Sequence, residues 1–140
     1  MVAFARRLVR TVPATHRIGR IACALTFVGH LVDVPPSARM RDGTDVLLAL
    51  AGAPDGPAVI LAALLQALGE RAQLEYTREM VFARVELEAP DLLRLPPHAA
   101  LVLRNARRGR LLLPLDPRRA RVPLGFLPRP VRDALEARAV

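Results

Sequence analysis

Gly52-Ala-Pro-Asp-Gly-Pro-Ala-Val-Ile-Leu-Ala-Ala-Leu-Leu-Gln-Ala-Leu-Gly69 is the stretch from which the rest of the fold can be read. Pro57 suits a first helical turn, where its missing N–H would have had no intrahelical partner, and Gly69 suits the left-handed residue that follows a helix end. The residues between them predict a helix over 58–68. Only Gln66 in that span is polar, so the helix is expected to lack a solvated face and to be wrapped by other elements as the core of the domain.

Downstream the pattern turns from helical to extended. Short apolar runs over 73–77, 81–87, 100–104 and 110–115, punctuated by Pro90, Pro96, Pro97 and a turn over 105–109, predict strands. In the second run the alternation sets Val81, Ala83, Val85 and Leu87 toward the core, leaving Met80 and Phe82 on the other face. A buried helix followed by a sheet is an α+β arrangement. Between the second and third runs, Leu92, Leu93 and Leu95 are bracketed by prolines and are read as a candidate partner surface, with folding back on the sheet as the alternative. Pro130 predicts the start of a short closing helix over 131–138.

Upstream, an amphipathic helix is expected to turn Phe4 and Leu8 inward and Arg6, Arg7 and Arg10 outward. A second helix is predicted from Ile18, with His16 and Arg17 at its start. On it Cys23, Phe27 and His30 share a side at spacings of four and three. Pro35-Pro36-Ser37 reads as a loop, and residues 45–51 read as a short helix capped by Thr44 and closed by Gly52.

This order of elements resembles the transglutaminase-like superfamily of papain-type cysteine enzymes, in particular its small bacterial and phage-associated members. The matching residues are Gly52, Asp55 and the run from Ala58 to Gly69, then Val81-Phe82 with Val85-Glu86, then Pro114-Leu115-Asp116-Pro117. Pro123-Leu124-Gly125-Phe126 is similar to a Pro-Gly-Trp-type run that follows in phage-associated members. Phe27-Val28 with Leu31 to Pro35 is similar to the family helix leading into a Tyr-x-x-Asp-Pro stretch. The likeness spans residues 18–128 and implies a transglutaminase-like or papain-like fold, with a buried central helix packed on a small antiparallel β-sheet.

Carried over position by position, the resemblance puts the family cysteine on Pro54 and the family histidine on Met80, and retains only the acidic member, Asp116. A cysteine at a helix N-terminus is activated by the helix dipole and a neighbouring imidazolium, whereas proline offers no nucleophile. The histidine must take and return a proton, and a thioether is a weak acceptor that does not titrate. Asp116, whose family role is to orient the histidine, is then expected to be an acid without a partner. The resemblance thus implies a non-catalytic domain, with Pro54, Met80, Phe82 and Asp116 marking a former groove. A displaced cysteine enzyme built on Cys23 and His30 is the competing reading, against core packing of the cysteine.

Composition narrows the remaining classes. A chain of 140 residues with 52% hydrophobic content is expected to fold as one domain over 1–140. One cysteine excludes an internal disulfide. The lack of metal-ligand spacing around His16, His30 or His98 predicts no metal and no cofactor. No signal-peptide pattern and no ~20-residue apolar span is present, so a cytoplasmic chain without a membrane segment is expected. The net charge is +8 and every basic residue is arginine, clustered at Arg6, Arg7, Arg10, at Arg104, Arg107, Arg108, Arg110, and at Arg118, Arg119, Arg121. Such clusters suit phosphate, but one Tyr, four Phe and no Trp leave few stacking platforms. A protein partner, within a phage-like or other multi-protein assembly by analogy with the family, is the favoured expectation, with nucleic acid second.

Overall fold

A computed structural model describes residues 1–33, 54–95, 103–105, 110–118, 124–125, 127–131 and 133. The predicted loop at Pro35, the short helix capped by Thr44 and residues 106–109 of the turn predicted over 105–109 lie outside the described residues, while Asn105 ends β3. The element order is α1 (Val2–Leu8), α2 (Arg17–Asp33), α3 (Gly56–Ala67), β1 (Ala72–Tyr76), β2 (Val81–Leu87), a 3-10 helix (Ala89–Arg94), β3 (Leu103–Asn105) and β4 (Arg110–Leu115). The four strands form one antiparallel sheet in the order β1-β2-β4-β3. Helices packed on a small antiparallel sheet make this an α+β domain.

α3 lies at the centre because its sequence leaves it few alternatives. It has proline in its first turn and ends where Gly69 takes a φ of 88°, a conformation that a Cβ disfavours. One side of α3 packs on α2 and another on β1 and β2. Ile18, Ile21, Leu25 and Val28 recur on α2 at spacings of three and four and meet Ile60, Leu61, Leu64 and Leu65 of α3 in one apolar cluster. Of the predicted inward row Val81, Ala83, Val85 and Leu87, the last three close that cluster with Leu113 and Leu115 of β4, while Val81 is half-buried and lies outside it.

The helix is not wrapped all round, however. Val59 is 41% exposed and Gln66 is also exposed, with Ala63 half-buried between them. These positions, four and three apart, form one stripe that reaches water. Gln66 explains why the stripe is not simply apolar: its Nε2 donates to the Ala72 carbonyl at 2.9 Å. β1 is an edge strand, and this bond occupies one acceptor at its start that would otherwise be open to another chain.

α1 is turned differently from the expected orientation. Ala5 and Val9 are buried, while Phe4 is 37% exposed and Leu8 half-buried. The three arginines at 6, 7 and 10 point to solvent as expected. Small Ala5 lets α1 approach the other helices closely, so the buried line runs through it rather than through the bulkier Phe4, which lies against Phe27 with ring centroids 5.3 Å apart.

α2 starts with a cap made by an imidazole. The His16 Nδ1 accepts the Gly19 N–H at 2.9 Å, satisfying one of the donors that every helix start leaves open. A Cβ on Gly19 would stand 2.3 Å from that nitrogen, so the cap requires glycine there. His16→Ala is expected to cost about 1 kcal/mol, the usual worth of a cap. Gly19→Ala is expected to be near neutral in the natural chain, because lost capping offsets the helix propensity gained. In the His16→Ala background the imidazole clash is gone and only the Val12 Cγ1, 3.1 Å from the new Cβ, has to give, so the change is expected to stabilise by up to about 1 kcal/mol. Urea denaturation of the four proteins measures this coupling, and strictly additive effects would show that the ring and the glycine do not interact.

Candidate functional site

The residues singled out in the sequence separate into three places. Pro54 is exposed in the turn that leads into α3. Met80 and Phe82 are buried, at 8% and 0% exposure, and form a small apolar cluster with Leu127 and Val131. Asp116 follows directly on β4 and is 3% exposed. Leu115 pairs with Ala83, so Asp116 and Met80 leave the sheet at the same end of neighbouring antiparallel strands. Met80 and Phe82 alternate away from Ala83 and Val85, which meet α3. The strand ends are thus brought together, while Pro54 belongs to neither cluster.

Asp116 is not the orphan expected from the loss of its histidine. Its Oδ1 accepts the Arg118 backbone N–H at 3.1 Å and Nε at 3.0 Å, and its Oδ2 accepts Nη2 at 3.2 Å. An aspartate that accepts from the backbone two residues on is an Asx turn, and Asp-Pro-Arg carries that signal in the sequence. Adding the guanidinium makes the contact charge-assisted and nearly removes one carboxylate from water without leaving it unpaired.

Met80 is likewise held by its surroundings. The Thr77 N–H and Oγ1 donate to the Met80 carbonyl at 3.0 and 2.7 Å, and the Met80 N–H donates back to Oγ1 at 3.1 Å. This tight turn joins β1 to β2. Met80 and Phe82 are covered by Leu127 and Val131, a contact across more than forty residues that no local pattern announces.

Cys23 and His30 do line one shallow groove, with Leu8, Ala22, Thr26 and Phe27, of about 430 Å³. No hydrogen bond joins them, and their backbones are separated by a rise of ~10.5 Å along α2. The Cys23 thiol instead donates to the Leu8 carbonyl at 3.5 Å, tying α2 to an open acceptor at the end of α1. Among the described residues no group of three or more His, Cys, Asp or Glu side chains is placed to hold a metal ion.

The proline-bracketed leucines fold back in part. The 3-10 helix is anchored by Asp91, whose Oδ2 accepts the Glu88 N–H at 2.8 Å, and by Arg94 Nη1 donating to the Thr15 carbonyl at 2.8 Å. Leu95 is half-buried and packed against the main core. The side chains of Leu92 and Leu93 lie outside the described residues.

A cluster missed in the sequence centres on Arg17. Its Nε donates to both Glu70 oxygens at 2.9 and 2.7 Å, Nη1 to Asp91 at 2.7 Å and Nη2 to the Glu86 carbonyl at 2.6 Å. The hydrogen bond to Glu70 holds the guanidinium above its ordinary pKa; partial burial opposes this, and the Glu70, Asp91 and Glu88 charges add to it. Arg17, Glu70, Arg71, Glu86 and Glu88 border a cleft of about 340 Å³. Arg17 of α2 meets Glu70 from the connection between α3 and β1 and Asp91 of the 3-10 helix, and Arg71 meets Glu86 of β2, so the cleft reads as a structural clasp.

Among the described residues the geometry defines the class as an α+β domain with helices packed on a four-stranded antiparallel sheet. Beyond that class, no family model, no curated protein and no solved structure matches the chain. Among the described residues no helix is long and apolar enough to cross a membrane.

Proposed function

We propose that this chain is a non-catalytic domain of transglutaminase-like descent that acts as a protein-binding or structural subunit. The observation that carries the reading is Asp116: its carboxylate is buried and already engaged by the backbone and guanidinium of Arg118. A carboxylate so engaged is not free to orient an imidazole. Proline and methionine at the aligned positions supply neither nucleophile nor proton carrier. The order of helix, strand and neighbouring antiparallel strand, with Met80 and Asp116 at one sheet end, supports the descent.

The test is a turnover assay on the whole chain with peptide amides and an amine acceptor, beside a Cys23→Ala variant. Neither protein is expected to hydrolyse or transfer acyl groups above the buffer rate. Turnover that disappears in Cys23→Ala would establish a displaced cysteine enzyme and end this reading. A binding role further predicts a stable complex with the product of a neighbouring gene, seen by size-exclusion chromatography.

A further inference from the structure

We infer that the groove between α1 and α2 seats an acidic, amphipathic helical segment of a partner protein. The inference rests on the binding-subunit reading for the existence of a partner and adds where it docks and what its chemistry is.

The floor of the groove is apolar, made by Leu8, Ala22, Cys23 and Phe27, with Thr26 and His30 exposed at its border. Phe4, 37% exposed and resting on Phe27, extends the apolar strip onto α1. The volume, about 430 Å³, falls within the roughly 300–1,000 Å³ of sites that take side chains or small ligands. A helix laid in such a groove inserts apolar residues spaced three and four apart.

Charge selects the occupant. Residues 1–32 contain Arg6, Arg7, Arg10, Arg17 and Arg20 and no Asp or Glu. Arg17 is engaged by Glu70 and Asp91, and Arg20 donates to the Val12 carbonyl at 3.3 and 3.2 Å. Arg6, Arg7 and Arg10 are exposed, and among the described residues none of them meets a carboxylate. An apolar floor bounded by a helix whose own turns carry the exposed Arg6 and Arg7, with Arg10 just past its end, complements apolar side chains flanked by Asp or Glu.

The other occupants fit less well. A second copy would bring the same cations against these in a two-fold contact. A lipid surface asks for a protruding apolar face rather than a concave one. Single-stranded nucleic acid needs open aromatic faces, and Phe27 is partly covered by Phe4.

The test uses a labelled synthetic helix of Leu and Glu against its Leu and Lys counterpart, with binding to the whole chain read by fluorescence anisotropy. The acidic helix is expected to bind and the basic one not. Thr26→Glu, at an exposed position on the groove, is expected to weaken the acidic helix by at least about tenfold through like-charge repulsion and a blocked floor. Arg6→Gln/Arg7→Gln/Arg10→Gln, all at exposed positions, should also weaken binding and flatten its salt dependence. Cys23, the only cysteine, provides a second readout: bound helix should slow its alkylation. Equal binding of the two helices, binding unchanged by Thr26→Glu, or binding only to anionic vesicles or to a single-stranded oligonucleotide would overturn the inference. Each of those results leaves the turnover assay, and the non-catalytic reading it judges, unaffected.

Discussion

Phe82→Ala is expected to lower the unfolding free energy by about 3–5 kcal/mol, the range for removing a fully enclosed aromatic side chain. Phe82 has no exposed surface and packs with Met80, Leu127 and Val131 on the sheet face away from α3. Removing the ring leaves the segment around Leu127 and Val131 resting on a cavity, so faster proteolysis there should accompany the lost stability. Urea denaturation measures the first effect and limited proteolysis the second. A ring left half in water would cost no more than about 1 kcal/mol on truncation. A small effect would therefore show that Leu127 and Val131 do not enclose Phe82.

Arg17→Met is expected to cost about 2–4 kcal/mol. Methionine keeps most of the apolar stem and removes every donor, so the change isolates the guanidinium. It withdraws the cation from Glu70 and Asp91, whose side chains are only 12% and 15% exposed, and a donor from the Glu86 carbonyl. Removing one partner from such a cluster costs more than the pair contributes net, because the carboxylates remain poorly solvated. Arg17→Lys should recover only part of the loss, since a point charge cannot reach two carboxylates and a carbonyl in the same plane. The sign of the pH dependence follows from the raised pKa of Arg17. A base whose folded pKa is raised contributes its full stabilisation below the unfolded value and loses it only as pH rises through the folded one. The gap between the natural chain and Arg17→Met, measured by urea denaturation, is therefore expected not to change through Arg17 titration between about pH 6 and pH 9. A gap that closed across that interval would assign the stabilisation to another group.

The start and end of α3 are legible in residue identity because Pro57 and Gly69 act through their own backbones. The span of β2 and three of its four predicted inward residues, Ala83, Val85 and Leu87 but not Val81, are legible because side chains alternate along any strand. β4 likewise spans the predicted residues, while β1 begins and ends one residue early. The Asp116 contact with Arg118 is also local, two residues away in an Asp-Pro-Arg run whose signal is that of an Asx turn.

Other features depend on partners that are distant in the chain. Arg17 meets Glu70 across 53 positions and Asp91 across 74, so nothing near residue 17 marks it as a hub. The rotation of α1 that buries Ala5 in place of Phe4 was set by which helix it had to approach. The open stripe on α3 exists because α2 and the sheet cover its other sides and leave Val59, Ala63 and Gln66 uncovered.

Helix ends, strand alternation and the arginine excess thus came from amino-acid identity, since each is a property of one residue or of neighbours along the backbone. Which apolar surfaces were covered, and by what, emerged only when the chain packed. Burial of Phe82 by Leu127 and Val131 is a relation between segments that meet in space, and short-range preference carries no information about that meeting.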